Sequence, residues 1–299
     1  MKLCLGTVQF GMDYGVQGGS RPSVKEAVAM LDFAVQNGVD AIDTAAAYGT
    51  AEEVVGEFLA SRTVPRDAVQ IVSKFGTGIF EGVDISEYPR CLRAAAEKSL
   101  KSLRTDYLDA FICHVPSAAG DAAVVSAMAA LKETGLTRHV GFSVYETTEA
   151  MACLDADEVG FIQAPFSVLD QRMKSSGALA KAAAKGVDVH TRSAFVQGLM
   201  LMPPASIPAH LAATKPYVEE LESLCRERGI TRRLLALAYV KAQPEISHLV
   251  FGVDNRMQLK EIIDDFNRTV PADIVTDIAA RFAAVPSDIF MPNKWRKDK

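Results

Sequence analysis

The sequence has no apolar run approaching the ~18 residues needed to cross a bilayer, and its opening stretch, MKLCLGTVQFG, lacks the apolar core of a signal peptide. A cytoplasmic location is therefore expected. Paired cysteines are missing too. Cys4, Cys91, Cys113, Cys153 and Cys225 are odd in number and scattered, with no CxxC, which excludes a disulfide framework and fits reduced thiols. Positive charge is not in excess: 32 basic against 37 acidic side chains leave a net charge of −5, which excludes a globally basic nucleic-acid binder. Only KWRKDK at the C-terminus is locally basic. Low-complexity segments, long linkers and charge blocks are absent as well, so composition marks no domain boundary.

What the chain does have is length and apolar content. Its 299 residues fit two average domains or one α/β barrel, and 49% hydrophobic against 23% charged residues suits a large core. Short β-rich runs recur along it: LCLG near residue 3, DAID near 40, QIVSK near 70, LDAFICH near 108, HVGFS near 139, FIQA near 161, DVHTR near 188 and HLVFG near 248. Several are apolar on both faces, as parallel strands covered by helices are.

Between these runs the apolar residues fall at helical spacing. Ser23 and Glu26 predict a capping box ahead of Val24, Ala27, Val28, Leu31 and Val35, with Gly38 just past the far end. Thr50 and Glu53 predict a second one. Further helices are expected roughly over 89–103, 124–134, 147–155, 174–185, 232–242 and 256–266. Parallel strands need helical crossovers, so this alternation implies a (β/α)8 TIM barrel of α/β class, a single domain over 1–299. An open doubly wound sheet is the alternative. About sixty residues separate the seventh and eighth runs, far more than a usual connection, with an extra helical pattern near 217–229. This insertion, at about 199–230, and the tail carrying Pro271, Pro286, Phe290, Pro292 and Trp295 are both candidates to lie over the barrel mouth.

Barrel enzymes carry their chemistry at the C-terminal ends of the strands. Asp43 ends the second run, with Tyr48 following in DTAAAYG; Lys74 ends the third and His114 the fourth. A phenol, with an ordinary pKa of ~10, is a poor acid at neutral pH. A neighbouring ammonium favours the phenolate, and a carboxylate keeps that ammonium charged when it is buried. Asp43 can thus hold Lys74 charged, Lys74 can acidify Tyr48, and His114 can hydrogen-bond a substrate oxygen. Such an assembly suits protonation of a carbonyl oxygen while something else attacks the carbon.

With these four residues in order and in context, the chain resembles the aldo-keto reductases from LGTVQFG to FGVDNRMQLKEI. The resemblance implies a nicotinamide cofactor extended across the barrel mouth and hydride transfer to an aldehyde, ketone or aldose-type carbonyl. Asp43, Tyr48, Lys74 and His114 are then catalytic, with Tyr48 the proton donor. It also accounts for the missing GxGxxG, since the glycines of KFGTGIFEG have another spacing and open no helix directly. By the same resemblance Gly6, Thr7, Val8 and Asp43 border the cofactor. Ser143 and Gln163 bond the nicotinamide carboxamide, and Val144 stands where many members have asparagine. Arg192 replaces the usual stacking tyrosine, and its planar guanidinium can also stack. Ser193, Gln197, Gly198 and Leu199 supply the diphosphate loop. Gly252, Asp254, Asn255, Arg256 and Gln258 form the adenosine end, where Arg256 is the group able to meet a 2′-phosphate. NADPH is the expected cofactor and NADH the alternative.

The remaining residues of note get plainer readings. His139, His190, His210 and His248 lack metal-site spacing, so no metal is expected. Cys113 should face away from its neighbour His114. Phe10, Met12, Tyr14, Phe75, Phe166, Phe195, Met200 and Met202 are candidates to line an apolar substrate pocket. The expected partner is a small-molecule carbonyl substrate, with no nucleic acid and no membrane; the oligomeric state is open, a monomer being favoured. Two other functions remain in view. One is a non-catalytic NADP-binding regulatory or redox-sensing module of the same fold. The other is a Schiff-base barrel aldolase using Lys74, against which the partner Asp43 argues.

Overall fold

The computed structural model describes residues 1–16, 21–61 and 63–295. Eight strands form a closed barrel in sequence order: β1 (Lys2–Gly6), β2 (Ala41–Asp43), β3 (Gln70–Phe75), β4 (Leu108–Cys113), β5 (Thr137–Ser143), β6 (Phe161–Pro165), β7 (Asp188–Arg192) and β8 (His248–Phe251). Every seam is parallel, and β8 closes on β1 with Leu5 opposite Phe251. All six residues of β4 are buried, because one side faces the helical ring and the other fills the barrel. Val72, Ala110, Ile112 and Phe161 pack together as one interior group, and Cys4, Ala41 and Val250 as another. The large apolar cluster, including Leu31, Phe58, Met128 and Leu235, lies among strands and helices.

The crossover helices follow the periodicity. Val24–Gln36 starts at the expected capping box: Glu26 N donates to Ser23 Oγ at 3.3 Å and Ser23 N to Glu26 Oε2 at 2.9 Å. The second expected box is absent. Thr50 lacks the extended backbone of a cap, with φ −99° and ψ 18°, and its hydroxyl instead accepts from Arg21 Nη2 at 2.6 Å. The helix expected over 174–185 is two pieces, Arg172–Ser175 and Ala178–Ala184, parted by Gly177 at φ 81°.

The insertion after β7 comprises tight turns at Leu199–Leu201, Pro204–Ser206 and Ala209–Thr214, then the helix Lys215–Glu227. The tail holds a helix not foreseen in the sequence, Ala272–Arg281, which buries Val275 and Ile278. It is tied to the segment after β6, where Gln171 Nε2 donates to Ala279 O at 2.7 Å and the Arg172 guanidinium lies 5.0 Å over the Phe290 ring. Of the basic KWRKDK segment, Lys294 donates to Ser287 Oγ at 2.9 Å, while residues 296–299 lie outside the described residues. No helix among the described residues is long and apolar enough to cross a membrane.

Candidate active site

Three strand ends and one loop bring Asp43, Tyr48, Lys74 and His114 together. Lys74 Nζ donates to both oxygens of Asp43, at 2.6 and 2.7 Å, and to Thr44 O at 2.9 Å, so all three of its protons have acceptors. Its Nζ lies 5.0 Å from the centre of the Tyr48 ring, and that ring meets His114 edge-on at 5.5 Å. Gln163 Nε2 also donates to Asp43 Oδ1, at 2.7 Å. Lys74 and Asp43 are buried, whereas Tyr48 and His114 are partly open to the cleft above.

Burial alone would strip the proton from Lys74, but the charge of Asp43 and the neighbouring Tyr48 reverse that and hold the ammonium above its usual pKa. A protonated lysine is no Schiff-base nucleophile, which removes the basis for the aldolase alternative. The expected acidification of Tyr48 is not the net result. Burial raises the phenol further than Lys74 lowers it, so the phenol keeps its proton through the neutral range. His114 is pushed down to about 4 by burial first and by the Lys74 charge second, leaving a neutral imidazole. Cys113 is buried, and its thiol is pushed up to about 11, so it offers no nucleophile beside His114.

Above these groups lies a cleft of about 700 Å³. One end is walled by Tyr14, Tyr48, His114, Tyr145 and Arg192; the other is walled by Asp254, Gln258 and Glu261. Gly6, Thr7, Val8, Asp43, Gln163, Ser193, Gln197, Gly198 and Gly252 border it in between. Five residues expected at the cofactor do not line it. Ser143, Val144 and Leu199 are turned into the protein and buried. Asn255 caps the helix Arg256–Phe266, accepting from Gln258 N at 3.0 Å. Arg256 lies 4.6 Å over the Phe33 ring. Among the expected apolar lining, Tyr14, Phe195 and Met202 do reach the cleft, Phe10, Phe75, Phe166 and Met200 are core, and Met12 is exposed.

Arg192 packs its guanidinium 4.2 Å over the Tyr145 ring and donates to Val144 O at 3.0 Å; no carboxylate among the described residues pairs with it. The loop behind it is strained. Ser193, Val196 and Gln197 have φ of 67°, 50° and 54°, a left-handed run ahead of Gly198 that costs of order 1 kcal/mol or more per residue. Gln197 Nε2 donates to Tyr14 OH at 3.0 Å, bridging opposite rims of the cleft.

Three contributors escaped sequence reasoning. Gln9 borders the cleft with its Oε1 buried and without a partner among the described residues, and its amide packs so close to Gly252 that a Cβ there would come within 2.6 Å and push the Gln9 side chain aside. Arg233 also reaches the cleft, already paired with Glu261 at 2.7 Å and Asp265 at 2.8 Å. Gly11 packs so tightly on the Tyr48 carbonyl that a Cβ would lie 1.7 Å from it.

The sequence model of the aldo/keto reductase family matches residues 2–281. The chain belongs to that family. Aldo-keto reductases are carbonyl oxidoreductases that use nicotinamide cofactors, and the chain is an NAD(P)H-dependent enzyme of this kind. It is 26% identical over 261 residues to the NADH-specific methylglyoxal reductase of Escherichia coli K12, covering 77% of this chain and 79% of that one. It is 29% identical over 250 residues to the L-galactose dehydrogenase of Arabidopsis thaliana, covering 79% and 76%. A solved aldo-keto reductase from Bacillus halodurans, in its holo form, superposes with a TM-score of 0.76 at 22% identity, covering 96% and 94%, a likeness of fold. The residues present fit the family's cofactor: the cleft runs from the phenols and His114 to the start of the helix Arg256–Phe266, and the buried Gln9 Oε1 is an acceptor with no partner among the described residues.

Proposed function

We propose that this aldo-keto reductase, a single-domain barrel, reduces an aldehyde, ketone or aldose-type carbonyl with Tyr48 as proton donor and NADH as the preferred cofactor. The observation that carries the chemistry is the neutral, partly open Tyr48 phenol set beside the buried Lys74–Asp43 pair. A dihydronicotinamide bound in the cleft supplies hydride to the carbonyl carbon. Tyr48 gives its proton to the oxygen, and the phenolate so formed is stabilised by the Lys74 ammonium. Asp43 and the Thr44 carbonyl fix that ammonium beneath the ring. His114, neutral, hydrogen-bonds the same oxygen and orients it. Tyr14, Tyr145 and Arg192 make the surrounding wall polar, which suits a hydroxylated substrate.

NADPH is the expectation from the resemblance, with Arg256 the group able to meet a 2′-phosphate, and the cofactor reading changes with the position of Arg256 over Phe33. The far end of the cleft carries Asp254 and Glu261, and its guanidinium, Arg233, is neutralised by two carboxylates. Two amides near it are engaged within the chain: Asp254 N, ahead of the helix, donates to Gln258 Oε1 at 2.8 Å, and Gln258 N, in its first turn, to Asn255 Oδ1 at 3.0 Å. A 2′-phosphate would meet these carboxylates, whereas a 2′-hydroxyl can donate to Asp254 or Glu261. The test is turnover of both cofactors against a panel of aldehydes, ketones and aldoses, with Tyr48→Phe beside the wild type. The expected result is higher kcat/KM with NADH and a fall of at least ~10²-fold in Tyr48→Phe with nucleotide binding retained. Binding without turnover on every carbonyl would favour the redox-sensing module instead.

A further inference from the structure

A second cluster of chemical groups lies toward the opposite end of the barrel, on the seam between β7 and β8. Asp188 opens β7, His190 points inward two residues later, and His248 opens β8 directly opposite His190 in register. One donor atom from each of the three side chains lies within 4.8 Å of the other two. His190 is fully buried, and neither ring nitrogen has a hydrogen-bond partner among the described residues. Its ring faces are accounted for by Phe161, 4.5 Å away, and His248, 4.2 Å away. Its edges are not: the Asp188 Oδ2 is 3.7 Å from Nε2, beyond hydrogen-bond reach. An imidazole buried with two idle nitrogens is costly unless something ligates it.

We propose that Asp188, His190 and His248 bind a divalent transition cation of the zinc class, which staples β7 to β8 without taking part in carbonyl reduction. Two imidazoles and a carboxylate are the donor set that zinc takes, and they disfavour calcium or magnesium, which seek oxygen. The surroundings supply supports of the kind that orient metal ligands. Asp40 Oδ1 lies 3.1 Å from His248 Nε2, which leaves Nδ1, now 3.2 Å from the Ser247 hydroxyl, as the nitrogen to take the ion. The same hydroxyl donates to Asp188 Oδ1, leaving Oδ2 for the ion. Asp188 and Asp40 are partly exposed, which gives an ion a polar way in. The seam is also where a staple has most to add: β7 and β8 pair through only two residue pairs, His190–His248 and Thr191–Leu249, fewer than any other neighbours in the barrel. Spacing in the chain could not reveal this site, because His190 and His248 come from different strands.

The test is a titration of chelator-stripped full-length protein with Co²⁺, followed by its visible ligand-field absorption, then displacement with Zn²⁺ and a thermal melt. One equivalent of Co²⁺ should produce the intense band of a four-coordinate site, Zn²⁺ should bleach it, and Zn²⁺ should raise Tm. Asp188→Asn, which keeps the Ser247 contact, and His190→Phe, which refills the space beside Phe161, should each lose the band and the Tm shift while NADH-dependent carbonyl reduction persists. If His190→Phe does not fold, Asp188→Asn decides the matter. No band and no Tm shift in the wild type would overturn the proposal, and so would a band that survives in Asp188→Asn, since the ion would then sit elsewhere.

Discussion

Gln163 and Lys74 donate to the same oxygen of Asp43, at 2.7 and 2.6 Å, so one carboxylate on β2 anchors an amide from β6 and an ammonium from β3. The two donors compete for one acceptor and lock it. Asp43 therefore has two separable duties: it keeps a buried charge compensated, and it fixes the floor on which Tyr48 stands.

Those duties part in a double substitution. Asp43→Ala strands the fully buried Lys74 ammonium, and removing one partner of a buried pair costs about 3–5 kcal/mol. Adding Lys74→Met removes the stranded charge and should return most of that stability, but none of the activity. Urea midpoints and kcat/KM on the wild type, Asp43→Ala and Asp43→Ala/Lys74→Met check this. A double variant as unstable as Asp43→Ala would contradict it.

His114 predicts an acid-side loss of stability. Burial, aided by Lys74, holds its folded pKa down to about 4, while unfolded histidine titrates near ~6.5. The folded value lies below the unfolded one, so the unfolded chain takes up the proton first. The contribution is whole above about pH 6.5 and is lost as pH falls toward about 4, and at ~1.4 kcal/mol per unit it amounts to about 3 kcal/mol. His114→Asn should flatten this part of the stability profile when urea midpoints at about pH 7 and about pH 4.5 are compared. An unchanged slope would mean that other groups carry it.

Gly11→Ala should harm turnover out of proportion to its size. Its Cβ would lie 1.7 Å from the Tyr48 carbonyl and 2.6 Å from Ala51 N, both backbone atoms, so the Tyr48 loop must move. Displacing a proton donor by about an ångström costs on the order of 10²-fold. The expected outcome is a fall mainly in kcat, with nucleotide affinity largely kept. Equal kcat in Gly11→Ala and wild type would show that Tyr48 does not depend on this contact.

The positions of the four central residues were legible because they follow from local pattern. Alternating β-rich runs and helical spacing set the strands, parallel pairing sets their common direction, and so Asp43, Lys74 and His114 had to emerge at one rim. Arg256 shows where that reasoning stops. Its place beside the eighth crossover helix was readable, but its side chain folds over Phe33, a residue of the first crossover helix, and leaves the cleft to Arg233. The tail helix Ala272–Arg281 escaped for a similar reason, since prolines at 271 and 286 mark its flanks and its apolar stripe has meaning only against the segment it covers.

The sequence by itself determined the barrel and the identity of the groups at its mouth, because both depend on periodicity and strand order. Tertiary structure alone decided how those groups behave. Lys74 stays charged and the Tyr48 phenol stays protonated because burial and distant partners balance differently at each. The charge at the Asp254–Glu261 end of the cleft and the meeting of His190 with His248 arise in the same way. Electrostatic energy depends on three-dimensional distance and on exclusion of water, and neither is written in the order of residues along the chain.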